Sequence, residues 1–209
     1  ALFGLGRIGQ MHAKNLINHP EFNLKYVFDI DNKLSNRLSK KYGCINIKSP
    51  NIAFKDKDIK SIFIATSTKT HLKFIEEGVK NKKIIFCEKP LDLDLKKINH
   101  SKKKLAKLNP KIQIGFNRRY DPAHNSLKEH LIKNKIGKLE KIIITSRDPS
   151  PPPLSYLKIS GGIFKDMMIH DFDLARYYTG SDEFVSVFAT GEYFTCLLYT
   201  SDAADDVRG

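Results

Sequence analysis

The chain has 209 residues, enough for one large core or for a first domain plus part of a second. At 41% hydrophobic and 28% charged residues it has the proportions of a folded globular protein, which excludes a wholly disordered one. The net charge of +13 raises the question of nucleic acid, but Lys40, Lys41, Lys82, Lys83, Lys102, Lys103 and Lys104 lie scattered among Asn and Ile, a pattern that favours a solvated basic surface.

In chain order, Ala1-Leu2-Phe3 reads as the end of a strand that feeds a glycine-rich turn, so residues are expected before Ala1. Residues 8–18 carry apolar side chains near helical spacing and stop before Pro20. A strand is predicted over 24–30, a polar-faced helix over 32–42, and a buried strand over 61–66. Helix (70–81), strand (83–87), helix (95–108) and strand (111–116) follow. Alternation this regular predicts right-handed crossovers and a doubly wound parallel sheet, an α/β architecture.

Beyond Arg119 the rhythm changes. A helix is predicted over 122–134, an extended run over 139–147 and a proline-rich break at 148–153. A long helix over 163–179, closed by Gly180, and a strand over 183–191 complete the reading. That last strand lacks partners, so the second domain is expected to be incomplete. From Cys196 the composition abandons its Lys/Ile/Asn character, and the tail is read as translated adapter sequence, native residues stopping near Thr195. Little activity is expected from a chain cut in this way.

Cys44, Cys87 and Cys196 show neither zinc nor redox spacing, and their odd count argues against a disulfide framework. With no apolar run of membrane-span length and no cleavable leader, the expectation is a cytoplasmic protein with no membrane partner and no metal site.

The chemistry-bearing motifs begin at Gly4-Leu5-Gly6-Arg7-Ile8-Gly9, a Gly-x-Gly-x-x-Gly run between strand and helix. The first glycine permits the tight turn, the second lets a pyrophosphate approach the backbone, and the third permits close packing of helix on sheet. Amides near Arg7 and Ile8, at the positive end of the helix dipole, would hold the phosphates. Alone the run is weak. Asp29, about twenty residues further on at the end of the second strand, adds an acceptor for the adenosine ribose hydroxyls and favours NAD over NADP. Lys33 keeps NADP open as the alternative.

Glu88-Lys89-Pro90 follows the strand at 83–87 directly and places Lys89 at the carboxyl edge of the sheet, where an ammonium can steady a developing alkoxide. On the helix at 163–179, Asp166, His170 and Asp173 are spaced to share one face. Histidine is suited to proton transfer near neutral pH, and a carboxylate one turn away can orient it. Seen alone, the pair reads more readily as an ordinary ion pair on a solvated helix.

These motifs, with Ala65-Thr66-Ser67-Thr68-Lys69-Thr70-His71, Gly115-Phe116-Asn117-Arg118-Arg119-Tyr120-Asp121 and Gly161-Gly162-x-x-x-Asp166-x-x-x-His170, resemble in order and spacing the family of glucose-fructose oxidoreductase, inositol dehydrogenase and their relatives. The resemblance implies a Rossmann domain over 1–118, a truncated α+β domain of the family's C-terminal type over 119–191, and a non-native tail over 192–209. It implies Lys89, Asp166 and His170 as the catalytic trio, with Thr66, Ser67, His71 and Glu88 lining the nicotinamide side and Arg118 reaching substrate. Ser67 stands where the family commonly has proline. The expected activity is NAD-dependent oxidation of a secondary ring hydroxyl of a polyol, myo-inositol first, in a homo-oligomer (dimer or tetramer) joined through the second domain's sheet. A sister activity on another sugar or cyclic diol, a non-catalytic NAD-binding regulator and a nucleic-acid binder remain the alternatives.

Overall fold

The computed structural model describes residues 1–148, 150, 152–180 and 184–191. Two compact units divide the chain, Ala1–Gly115 and Phe116–Gly209. The expected tail at 192–209 lies outside the described residues.

Unit 1 is a six-stranded sheet with every described pairing parallel. Its strands are β1 (Leu2–Phe3), β2 (Tyr26–Phe28), β3 (Ile45–Asn46), β4 (Ser61–Ile64), β5 (Ile84–Cys87) and β6 (Ile112–Ile114). The spatial order is β3-β2-β1-β4-β5-β6, so the chain reverses its direction of travel between β1 and β4, the point at which doubly wound sheets open a crevice for a ligand. Helices α1 (Arg7–Asn18), α2 (Asn32–Tyr42), α3 (Pro50–Lys55), α4 (His71–Lys80) and α5 (Leu95–Leu105) make the crossovers.

Local chemistry sets these boundaries. Asp31 caps α2 by accepting from the Lys33 and Leu34 amides, Ser49 caps α3 ahead of Pro50, and Asp94 caps α5. Alternate strand residues feed opposite faces of the sheet. Phe3, Ile62, Ile64, Ile85 and Cys87 join Phe54, Ile75, Val79 and Leu105 in one core, while Leu2, Leu5 and Val27 join Ala13, Leu16 and Leu38 in the other. Both faces are therefore covered, and the rims alone remain for binding.

Two elements of unit 1 escape the sequence reading. The β3 strand is only two residues long and exists because Ile45 and Ile47 donate to the carbonyls of Lys25 and Val27. The short α3 carried a readable start signal in Ser49-Pro50.

Unit 2 holds α6 (Pro122–Ile132), α7 (Leu154–Ser160), α8 (Gly162–Asp166) and α9 (Ile169–Thr179). Asp121 caps α6, and Gly180 closes α9 in the left-handed conformation, φ +68°. Polar contacts join α6 to α9: His124 Nδ1 to Tyr178 Oη at 2.6 Å, and Tyr177 Oη donating to Asn125 Oδ1 at 2.6 Å.

Two expectations for this unit need correction. The single helix over 163–179 is broken at Met167 and Met168. The Met168 amide reaches back five residues to Ile163 O, and the His170 amide then bonds to Met167 O instead of Asp166 O. A wide turn followed by a tight one resets the helical phase, so Asp166 and His170 do not sit on one continuous helix. The strand expected over 183–191 is absent from its described part, 184–191, where Phe184, Val185, Val187 and Phe188 are exposed. A strand without a partner leaves its amides and carbonyls unpaired, and nothing local compensates for that. The run at 139–147 likewise pairs with no strand among the described residues.

Candidate active site

In unit 1 the glycine turn leaves β1 at the sheet's reversal point, and each of its glycines answers a different physical demand. Gly4 has φ +84°, and a Cβ there would lie 2.4 Å from the Ala65 carbonyl. A Cβ on Gly9 would meet Gly4 O at 1.9 Å, which fixes how closely α1 lies on the turn. Gly6 differs: its φ of −60° and ψ of −168° suit any residue, and a Cβ there would meet nothing within 4 Å. The space above Gly6 is open, as the approach of a phosphate requires.

Gly6 is also the N-cap of α1 and offers no side-chain cap, so the first-turn amides of Arg7 and Ile8 keep their donors facing out of the helix end. Asp29, just beyond β2, accepts from the Leu5 amide at 2.6 Å with one oxygen and from the Asp31 amide at 2.8 Å with the other. A carboxylate has about four acceptor positions. Two are used to hold the turn, and the rest can take ribose hydroxyls.

Beyond β4, the Thr66 hydroxyl bonds to the Thr70 hydroxyl at 2.7 Å, and Ser67 is exposed at the start of a 3-10 turn, Thr68–Thr70. His71 is only 1% exposed. Its Nδ1 reaches Pro90 O at 2.8 Å and its Nε2 reaches Thr66 O at 3.0 Å. His71 is thus a brace behind the segments that follow β4 and β5, where the resemblance had it lining the nicotinamide directly.

Glu88 continues β5 by one residue, its amide donating to Ile64 O. Its carboxylate accepts from His12 Nε2 at 2.6 Å, and a Cβ on Gly115 would come within 3.0 Å of it. Lys89 follows, half-buried, and its peptide bond to Pro90 is cis. Cys87 beside them is fully buried, and burial pushes its thiol well above the usual range, which rules it out as a thiolate nucleophile.

Unit 1 therefore brings Gly4, Gly6, Arg7, Ile8, Asp29, Thr66, Ser67, Glu88 and Lys89 to the carboxyl edge of one sheet, with His71 immediately behind. Sequence reasoning missed His12. It lies three residues after the last glycine of the turn but 76 from its partner, and spacing alone could not connect them.

Unit 2 carries Arg118, Asp166 and His170. The Arg118 guanidinium pairs with Asp171 and lies 3.3 Å from Ser146 Oγ, while Ser146 donates to the same Asp171 oxygen at 2.7 Å. Arg118 is thus tied to the residue after His170. Asp166 accepts from Tyr156 Oη at 2.8 Å. The His170 ring stands edge-on to Phe116, with centroids 6.4 Å apart.

Arg119 donates twice to Asp173, at 2.8 and 2.6 Å, and this bond raises the proton affinity of the guanidinium. Asp173 is buried, so the pair is a clamp that sets α9. Arg119→Ala should destabilise unit 2 by roughly 1–3 kcal/mol, because it strands a buried carboxylate while solvent reaches the exposed side of the pair. Urea denaturation followed through the tyrosines of α9 checks this, and an unchanged midpoint would refute the clamp.

A family model described as an oxidoreductase family with an NAD-binding Rossmann fold matches residues 1–116, and one described as the GFO/IDH/MocA C-terminal domain matches residues 124–207. The chain belongs to the GFO/IDH/MocA oxidoreductase family. Inositol 2-dehydrogenase of Rhizobium meliloti is 41% identical over 189 residues, which cover 90% of this chain and 57% of that protein. A solved myo-inositol dehydrogenase from Corynebacterium glutamicum matches with a TM-score of 0.81 at 40% identity, over 85% of this chain and 53% of that one. The scyllo-inositol dehydrogenase of Lactobacillus casei, solved with NAD(H) and scyllo-inositol, matches at 0.74 and 31% identity, over 86% of this chain and 55% of that one. The chain thus spans a little over half the length of these family members. Among the described residues no helix is long and apolar enough to cross a membrane, and no cluster of metal-binding side chains occurs.

Proposed function

We propose that the protein is an NAD-dependent dehydrogenase that oxidises a secondary ring hydroxyl of a polyol, myo-inositol before others. The observation that carries this reading is the turn at Gly4–Gly9, where open space over Gly6, uncapped amides on α1 and a positioned Asp29 coincide at the sheet's reversal point. Similarity to inositol dehydrogenases over about nine-tenths of the chain supports the substrate class.

Bound NAD+ supplies the acceptor for the hydride that leaves the substrate carbon. The chain's own residues handle the oxygen and its proton. His170 takes the hydroxyl proton, Asp166 orients or relays it, and Lys89 steadies the alkoxide as charge develops. Asp29 favours the free ribose of NAD, because its carboxylate repels a ribose phosphate. Thr66, Ser67 and Glu88 line the nicotinamide side, and Arg118 acts on the substrate side through its Asp171 and Ser146 partners. The protein works as a homo-oligomer, a dimer or tetramer, in the cytoplasm.

The test, run on the protein extended to the full length of its family members, is the appearance of NADH from NAD+ with myo-inositol, scyllo-inositol and glucose in parallel. Turnover of myo-inositol with NAD+, and much slower turnover with NADP+, is expected. Tight NAD+ binding without turnover of any polyol would instead favour the regulator reading, and DNA binding that competes with NAD+ would favour the nucleic-acid one.

A further inference from the structure

The contact that nothing in the proposed mechanism uses is the one between His12 and Glu88. His12 lies in α1, the helix whose N-terminus faces the phosphate site, and Glu88 directly precedes Lys89. The two side chains are 13% and 20% exposed and meet at 2.6 Å, with the imidazole N–H donating to the carboxylate. Neither partner is free to wander. The His12 ring is held edge-on against Phe86, with centroids 5.0 Å apart, and lies 6.3 Å from Phe63; those two phenyl rings stack on each other at 5.1 Å. On the other side, the glycine at 115 leaves only enough room for the carboxylate itself.

We infer that His12 is a positioning residue: by pinning the Glu88 carboxylate at the end of β5, it fixes a negative charge that makes the site prefer the oxidised, cationic nicotinamide to the reduced, neutral one. The inference rests on the NAD-dependent reading. Asp29 at the end of β2 marks the adenosine half of the sheet, so the other half of a dinucleotide lies over the ends of β4 and β5, where Glu88 sits. Adenosine and pyrophosphate contacts are identical for the two redox states. A charge near the ring separates them by the charge they do not share, and does so reproducibly only if it is held still.

The experiment is calorimetric titration of the chain with NAD+ and, separately, NADH, for the unmodified protein, Glu88→Gln, His12→Ala and His12→Gln. Glu88→Gln keeps the shape and removes the charge. It should weaken NAD+ by roughly a hundredfold, the scale of one unit charge about 6 Å away at an effective dielectric constant of about 20, and leave NADH nearly unchanged. His12→Ala should lose part of the same preference, and His12→Gln, whose amide N–H can reach the carboxylate, should restore it. Thermal melts of each variant separate lost folding from lost preference, and the near-isosteric Glu88→Gln carries the test if His12→Ala proves unstable. If the unmodified chain binds both forms but Glu88→Gln leaves their affinity ratio unmoved, or His12→Gln behaves as His12→Ala does, the inference falls while the dehydrogenase reading stands. If the unmodified chain binds neither, the NAD-dependent reading falls and takes the inference with it.

Discussion

Gly6→Ala is expected to leave folding stability within about 1 kcal/mol of the unmodified chain while sharply weakening NAD+ binding. The backbone at Gly6 is one that alanine adopts without strain, and a methyl there points into open space. It has no protein neighbour to displace, only the ligand. Crowding of this kind costs about 1–3 kcal/mol, so affinity should fall by roughly ten- to a hundredfold. Gly9→Ala should behave in the opposite sense. Its methyl would stand 1.9 Å from Gly4 O, backbone against backbone, and the helix would have to lift from the turn. A stability loss of about 3 kcal/mol or more is expected there, with loss of cofactor binding as a consequence. Urea denaturation and calorimetry on the same preparations read both quantities. If Gly6→Ala bound NAD+ as tightly as the parent chain, the pyrophosphate would have to lie elsewhere.

The second large effect concerns turnover. In the full-length protein, His170→Ala and Lys89→Met should each lower kcat for myo-inositol by roughly a hundred- to ten-thousand-fold, the usual range for losing a general base or the group that steadies an alkoxide. Affinity for NAD+ should change little in His170→Ala, because His170 belongs to unit 2 and the dinucleotide turn to unit 1. That split between turnover and cofactor binding is the signature to look for. Equal turnover in the variant and the parent would remove His170 from the chemistry.

How far the sequence could be read depended on the range of the physics involved. Alternating apolar strands and periodic helices are local signals, and the order from β1 to β6 was legible for that reason except at the short β3 and α3, with boundaries off by a few residues where strands ran on as unpaired extended chain. The cofactor turn was legible because each glycine in it has a short-range steric reason. Corrections arose where non-local or hydrogen-bond geometry decided the outcome. Nothing at Met167-Met168 is a helix breaker, yet the backbone bonds change partner there and part Asp166 from α9. The Leu154–Ser160 helix hid behind a proline-rich run. The His12 pairing, the Asp29 grip on Leu5 and the Arg119 clamp on Asp173 join residues 76, 24 and 54 apart, and no window along the chain contains both ends of such a bond.

His71 has a mechanical meaning beyond its burial. Both ring nitrogens of one buried imidazole face carbonyl oxygens, those of Thr66 and Pro90, and the neutral ring donates to one of them at a time, so the segments after β4 and β5 meet at a single side chain. Their opening is expected to be coupled, because moving either segment disturbs the buried ring that packs against the other. In the language of hydrogen exchange, the amides of the two segments are expected to open together, as one stretch of rim with a common protection.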